Sequence, residues 1–282
     1  MSELPPWVWI NGEFRRGEDR AISPFDRGLT GGDALYETLL GFLGEPQHFE
    51  DHWSRLTASA EALEIPVPVT AMKLEGVFHE LIDRCALGAG RVRLKAILTR
   101  GASTTSPWNL ECERPTLIAT AWEAPPPREV PLTLETLPFR RDAADPIWRH
   151  KTVNVLSRGI ARAGLQRRGV DDGLILNMEG RVCEATTSNI FAMVGERIVT
   201  PPLEEGLLPG TVRARLLRAL REVDACEVVE EPLTRDQLLE AEVVWLTNVI
   251  SLVTPVGRID GVRLRIQEAG KHALELAREV IR

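Results

Sequence analysis

The chain has 282 residues, enough for one or two domains with cores of their own. Hydrophobic residues make up 44% and charged residues 27%, an ordinary globular composition, and the net charge of −7 opposes nucleic-acid binding with no Lys/Arg block to reverse it locally. No apolar run is long enough to span a bilayer, and the N-terminal MSELPPWVWINGEF has neither a basic start nor a long apolar stretch, so no signal peptide and a cytoplasmic location are expected. Cys85, Cys112, Cys183 and Cys226 form no CxxC pair, which argues against a zinc site and a disulfide framework; no metal is expected.

In chain order, WVWINGEFRRG reads as a strand or hairpin turning at Asn11-Gly12. Residues 22–28 read as a loop, and 31–40 lead into another strand. Residues 51–63 form a helix with Leu56, Ala60 and Leu63 on one face, ended by Pro66 and Pro68; residues 70–85 form a second. Residues 91–99 (RVRLKAILT) alternate as a strand, and 116–122 make another. The Pro-rich segment APPPREVP is stiff and suits neither a helix nor a central strand, so it is taken as a linker. Beyond it come a strand at 132–137, a helix at 154–168, and a strand at 172–177 closed by the turn 178–181. A hairpin at 189–194 and 197–200, a helix at 211–223, a strand at 243–247 and a closing helix at 266–281 complete the chain. The expected organisation is α+β with two sheets: a small domain over 1–121, a linker over 122–131 and a larger domain over 132–282.

Of the 34 basic residues only four are lysines: Lys73, Lys95, Lys151 and Lys271. A Schiff base needs a lysine, because the arginine guanidinium stays protonated. Lys73 and Lys271 fall on solvated helix faces, and Lys95 reads as part of a solvated sheet face beside Arg93. Lys151 stands at the junction of a loop and a helix, where side chains are presented to clefts. Glu184 ends a hairpin strand and is followed by the hydrogen-bonding run Thr186-Thr187-Ser188-Asn189. Gly210 permits close backbone approach, and Thr211 is a good N-cap for the helix after it. Thr247-Asn248 forms a second polar strand end.

The stretches FDRGLTGGDALYETL (25–39), DHWSRL (51–56), RVRLKAILTRG (91–101), HKTVN (150–154), DDGLILNMEGRVCEATTSNIF (171–191), TPPLEEGLLPGTVR (200–213) and WLTNVISLVTPVGRIDG (245–261) resemble, in order, the class IV aminotransferases. That family includes branched-chain and D-amino acid aminotransferases and 4-amino-4-deoxychorismate lyase. The resemblance implies the two-domain α+β fold type IV, D-amino acid aminotransferase-like, with pyridoxal 5'-phosphate (PLP) as cofactor and a homodimer as the assembly. It implies that Lys151 is the Schiff-base lysine and the base and acid of the proton shift, that Glu184 pairs with the pyridine nitrogen, and that Arg55 contacts the phosphate. The Gly210, Thr211 and Val212 amides would receive the phosphate, Ser188 and Asn189 would lie beside the cofactor, and Thr247 and Asn248 would adjoin it.

Gly31, Tyr36, Thr38, Arg93 and Val155 are the expected pocket residues. The chain departs from the family at Val212 and Val249, where hydroxyl residues are common. It departs again at Gly31, where an aromatic is usual, and at Val155, where branched-chain enzymes carry Tyr. The substrate is expected to be an amino acid and a 2-oxo acid, or aminodeoxychorismate. Transamination with a D-amino acid or broad specificity is placed ahead, with the lyase reaction, hinted at by Tyr36-Glu37-Thr38-Leu39 and Thr247-Asn248, as the alternative. A PLP-binding protein without turnover is the third reading.

Overall fold

The alternation of RVRLKAILT becomes an inner strand of a six-stranded sheet, in the first of two units into which the chain divides. The computed structural model describes residues 4–103, 110–111, 114–128, 130–223 and 226–281, so Cys112 lies outside the described residues. The first unit takes in Met1–Pro126 and Lys151–Asn154; the second takes in Pro127–His150 and Val155–Arg282.

The first unit contains β1 (Trp7–Ile10), β2 (Glu13–Arg16), α1 (Arg27–Thr30), β3 (Ala34–Phe42), β4 (Glu45–Pro46), α2 (Phe49–Ala62), α3 (Ala71–Arg84), β5 (Arg91–Thr99) and β6 (Thr116–Glu123). Its sheet runs β2-β1-β6-β5-β3-β4, with every neighbouring pair antiparallel. Successive strand residues point to opposite faces. One face is therefore the core: Leu35 and Leu39 of β3, Val92, Leu94 and Leu98 of β5, and Leu117 and Ala119 of β6 pack with Leu56 and Ala60 of α2 and Val77, Phe78, Leu81 and Ile82 of α3. Burying each large apolar side chain contributes about 1.5–3 kcal/mol. The other face of β3 and β5 carries Tyr36, Thr38, Arg93 and Lys95, none of them buried. The register sets Thr38 opposite Lys95 and Tyr36 opposite Ile97.

The second unit contains β7 (Leu132–Arg141), α4 (Leu156–Arg167), β8 (Asp172–Asn177), β9 (Val182–Ala185), β10 (Asn189–Val194), β11 (Arg197–Thr200), α5 (Thr211–Val223), β12 (Glu227–Glu230), α6 (Arg235–Glu240), β13 (Val243–Asn248), β14 (Leu252–Ile259), β15 (Val262–Arg263) and α7 (Glu268–Val280). Its mixed sheet runs β12-β11-β10-β13-β14-β7-β8-β9, with β15 added to β14. Parallel pairs join β7 to β8 and to β14, and β11 to β12. Strands β8 and β9 are buried along their whole length, which explains the near-continuous apolar run DGLILN.

Three differences from the sequence reading bear on the site. The first strand after the linker continues past Leu137 to Arg141 and so delivers a buried arginine. The helix after Lys151 begins only at Leu156. Residues 151–153 are instead extended along the edge of β3: Tyr36 N donates to Lys151 O (2.8 Å), Val153 N donates to Ala34 O (3.0 Å), and Leu35 bridges Thr152. This pairing groups Lys151–Asn154 with the first unit, whereas the sequence boundaries put them in the second domain. Among the described residues no helix is long and apolar enough to cross a membrane.

Candidate active site

In the first unit, Lys151 follows the 3-10 turn Pro146–Arg149 and is held by the pairing just described. Asn154 fixes the end of this segment: its Nδ2 donates to Gly32 O at 3.2 Å. Gly32 has φ +67, and a Cβ there would fall 2.2 Å from Asn154 Oδ1, so this close approach requires glycine. The Lys151 Nζ lies 4.6 Å from the centre of the Tyr36 ring, and the Lys95 Nζ lies 5.0 Å from the same centre. Two ammonium groups thus share the face density of the only tyrosine in the chain. Burial pushes the Lys95 ammonium below its ordinary value; Tyr36 opposes this, while Arg93 and Lys151 add to it by like-charge repulsion. Arg93 lies one row further along β5, its guanidinium 5.1 Å over the Trp122 ring. Gly31 closes α1 as its C-cap.

Arg55 reaches the opposite side of β3. Its Nε and Nη2 each donate to Glu37 at 2.7 Å, and His52 Nδ1 lies 2.8 Å from the same carboxylate. Burial would raise the Glu37 carboxyl, but the Arg55 charge and the hydrogen bonds from His52 and Arg55 outweigh it and hold the group at about 2.

In the second unit, Glu184 stands on β9 opposite Ile175 of β8 and is buried. Its Oε1 accepts from Arg141 Nη1 at 2.9 Å, and its Oε2 accepts from Asn189 Nδ2 at 3.2 Å and from Leu208 N at 3.3 Å. Arg141 is buried as well, stacks 4.3 Å over Trp148, and also donates to Gly206 O at 2.5 Å. The neighbouring Cys183 thiol is pushed up by burial to about 12, so it is no nucleophile at neutral pH. Residues 206–210 lead into α5, in which Thr211, read from sequence as the N-cap, is already helical. Asn248 Nδ2 donates to Ser188 Oγ at 2.9 Å, while its Oδ1 accepts from Ile250 N and Ser251 N and shapes the turn after β13. Val155, half exposed, precedes α4.

The sequence-predicted residues therefore gather in two groups. Lys151, Tyr36 and Thr38 share one face of the first unit, with Arg93 further along it and Arg55 on the other side of the sheet. Glu184 and Asn189 form one hydrogen-bonded corner of the second, against which Gly210 packs closely, and Ser188, next to Asn189, pairs with Asn248. Sequence reasoning set Lys95 aside as part of a solvated sheet face, gave Glu37 no role beyond the Tyr36-Glu37-Thr38-Leu39 motif, and did not single out Arg141. Glu37 left a signal, an acid between Leu35 and Leu39 on the core face of a strand; Lys95 and Arg141 needed the strand register and the full length of β7.

This residue set fits PLP. Lys151 offers the amine, and Glu184 offers a carboxylate already fixed by three donors. The N-terminus of the 13-residue α5 presents backbone amides and a positive dipole end to an anion. The Thr247 hydroxyl is buried without a partner among the described residues, a cost that a ligand oxygen would remove. Nothing among the described residues forms a cluster suited to a metal ion.

Comparison with known proteins gives the family. A profile of the amino-transferase class IV family matches residues 34–259. A putative branched-chain-amino-acid aminotransferase from Methanocaldococcus jannaschii is 30% identical, over 94% of this chain and 91% of its own. Among solved structures, a putative 4-amino-4-deoxychorismate lyase from Legionella pneumophila superposes with a TM-score of 0.87 at 27% identity, covering 94% of this chain and 97% of its own. A T.th. branched-chain amino acid aminotransferase, complexed with N-(5'-phosphopyridoxyl)-L-glutamate, superposes with a TM-score of 0.86 at 25% identity, covering 98% of this chain and 93% of its own. The chain belongs to the amino-transferase class IV family and is a PLP-dependent enzyme of fold type IV.

Proposed function

We propose that the enzyme is a 4-amino-4-deoxychorismate lyase, converting aminodeoxychorismate to p-aminobenzoate and pyruvate. The observation that carries this reading is the second lysine: Lys95 and Lys151 flank one tyrosine ring, and among the described residues no carboxylate pairs with Lys95. A half-buried cation without an ion pair is costly unless a ligand supplies the anion. Aminodeoxychorismate carries two carboxylates, both several bonds from its amine. A branched-chain amino acid carries one, directly beside its amine. Thr38, opposite Lys95, adds a hydroxyl to the same face.

Bound PLP supplies an electron sink for the carbon that bears the amine. Lys151 Nζ would hold the cofactor and, as a free amine, would take the proton from the ring carbon bearing nitrogen. Breaking the adjacent C–O bond releases the enolpyruvyl group, and Lys151 returns the proton to its methylene carbon, giving pyruvate while the ring becomes aromatic. Glu184 would hold the pyridine nitrogen, and the Gly210, Thr211 and Val212 amides with the Thr247 hydroxyl would hold the phosphate, while Arg55, expected from the resemblance to contact the phosphate, is bound to Glu37 on the other side of β3. Lys95 would bind a substrate carboxylate and orient the ring. Val212 keeps its amide, so the missing hydroxyl does not remove that contact.

The second reading is transamination of a branched-chain amino acid, favoured by the 30% identity to the Methanocaldococcus jannaschii relative. A homodimer is part of the proposal in either case, supported by the exposed apolar side chains of Val155, just before α4, and of Leu156 and Ile160, one turn apart on it.

The test is to supply the PLP-loaded enzyme with aminodeoxychorismate and, separately, with L-valine and 2-oxoglutarate. Equal yields of p-aminobenzoate and pyruvate are expected, with Lys95→Met raising KM by about tenfold or more for loss of a charged contact. Rapid formation of the branched oxo acid without p-aminobenzoate would establish the transaminase instead.

A further inference from the structure

Within the turn 206–210, Gly206 N donates to Leu203 O, and Gly210 O accepts from Ala214 N. Side chains from three strands also hold it. Arg141 of β7 donates to Gly206 O at 2.5 Å. Asn189 of β10 donates to Leu208 O at 2.9 Å. Glu184 of β9 accepts from Leu208 N at 3.3 Å. The three are joined, since Arg141 Nη1 and Asn189 Nδ2 bind the two different oxygens of the Glu184 carboxylate. Asn189 also closes the turn sterically: its Oδ1 lies 2.0 Å from where a Cβ on Gly210 would stand. All three side chains are buried, so water does not compete for these contacts.

We propose that Asn189 and Arg141 are positioning residues that lock the turn 206–210 to the Glu184 carboxylate, so that one carboxylate both meets the pyridine nitrogen and presets the phosphate-binding amides. The proposal rests on the assignment of the Gly210–Val212 amides to the phosphate. Its consequence is a linkage between the two ends of the cofactor. Loosening the carboxylate from Asn189 lets the turn relax and weakens phosphate binding. The charge of Glu184 is what makes the lock strong, because hydrogen bonds to an ionised acceptor are about twice as strong as neutral ones.

The test uses the full chain freed of cofactor, in three forms: parent, Asn189→Ala and Arg141→Lys. Amide hydrogen exchange is followed by mass spectrometry, and inorganic phosphate and PLP affinities are measured by titration, with pyridoxal as the phosphate-free control. Loss of one charge-assisted hydrogen bond predicts about tenfold faster exchange confined to residues 206–213 and about tenfold weaker binding of inorganic phosphate and PLP. Pyridoxal affinity should fall less than PLP affinity, which a general loss of stability would not produce. Unchanged exchange at 206–213 overturns the lock. Faster exchange there with unchanged phosphate affinity overturns the assignment of these amides to the phosphate, and the linkage with it. Arg141→Lys keeps the buried positive charge, so it carries the same test should Asn189→Ala not fold.

Discussion

Replacing Glu37 by Gln should destabilise the enzyme by an amount that depends on pH in a defined way. The Glu37 carboxyl is buried between β3 and α2, receives two hydrogen bonds from Arg55 and contacts His52. Its pKa falls from the ordinary 4.5 to about 2 in the folded protein. At about 1.4 kcal/mol for each tenfold change, that fall corresponds to about 3 kcal/mol of stability. Because the folded value lies below the unfolded one, the contribution is complete above pH 4.5 and is lost as the pH drops from there towards 2. An isosteric amide keeps the shape but removes the anion that pairs with the partly buried Arg55 guanidinium; breaking a buried pair costs about 3–5 kcal/mol in general, so the two routes agree. The assay is urea unfolding of parent and Glu37→Gln, followed by tryptophan fluorescence between pH 7 and pH 3. Comparing the two proteins at each pH cancels the carboxylates of Glu230 and Asp260, whose values are also lowered. The difference should be about 3 kcal/mol at pH 7 and should shrink steadily below pH 4.5. A difference under about 1 kcal/mol at pH 7, or one that stays constant with pH, would refute the reasoning, since an exposed pair gives the first and a packing defect gives the second.

Two further substitutions test the second unit. Asp172 accepts from Gly173 N, Thr186 N and the Thr186 hydroxyl with one oxygen and from Arg162 with the other, so it ties the start of β8 to the loop leading to Ser188. Asp172→Ala should lower stability by about 3 kcal/mol in a thermal melt, with Asp172→Asn recovering part of the loss. Gly210→Ala would place a methyl group 2.0 Å from Asn189 Oδ1 and must displace Asn189, so PLP titration should show a loss of about tenfold or more in affinity, with stability lowered by about 1–3 kcal/mol.

Much of this organisation is legible in the sequence where one periodicity runs long enough to decide. The helices α2 and α3 and the strand β5 each carry several apolar residues at one spacing, and each forms within a few residues of its expected place. The short elements α6, β12 and β15 do not announce themselves, because two to six residues hold too little of any period. Lys151 stands out in the sequence because lysine is rare in this chain and a Schiff base excludes arginine, and the resemblance to the family is what singles it out further. Lys95 reads as part of a polar sheet face and is half-buried there, and its neighbours stay hidden from the sequence because alternation tells which residues share a side of a strand, not what stands on the neighbouring strand. The register between β3 and β5 brings Tyr36 beside Lys95, and only pairing fixes register.

The strand β3 shows why the two kinds of information differ. Leu35, Glu37 and Leu39 face the core, while Tyr36 and Thr38 face the lysines. A slip of one residue would expose the leucines and bury Tyr36 and Thr38, and it would also turn Glu37 towards Lys95 and away from Arg55 and His52. The buried ion cluster on one side of the strand thus fixes the register that presents Tyr36 and Thr38 on the other. Glu37 acts from the opposite face: it specifies which residues the strand presents beside Lys151.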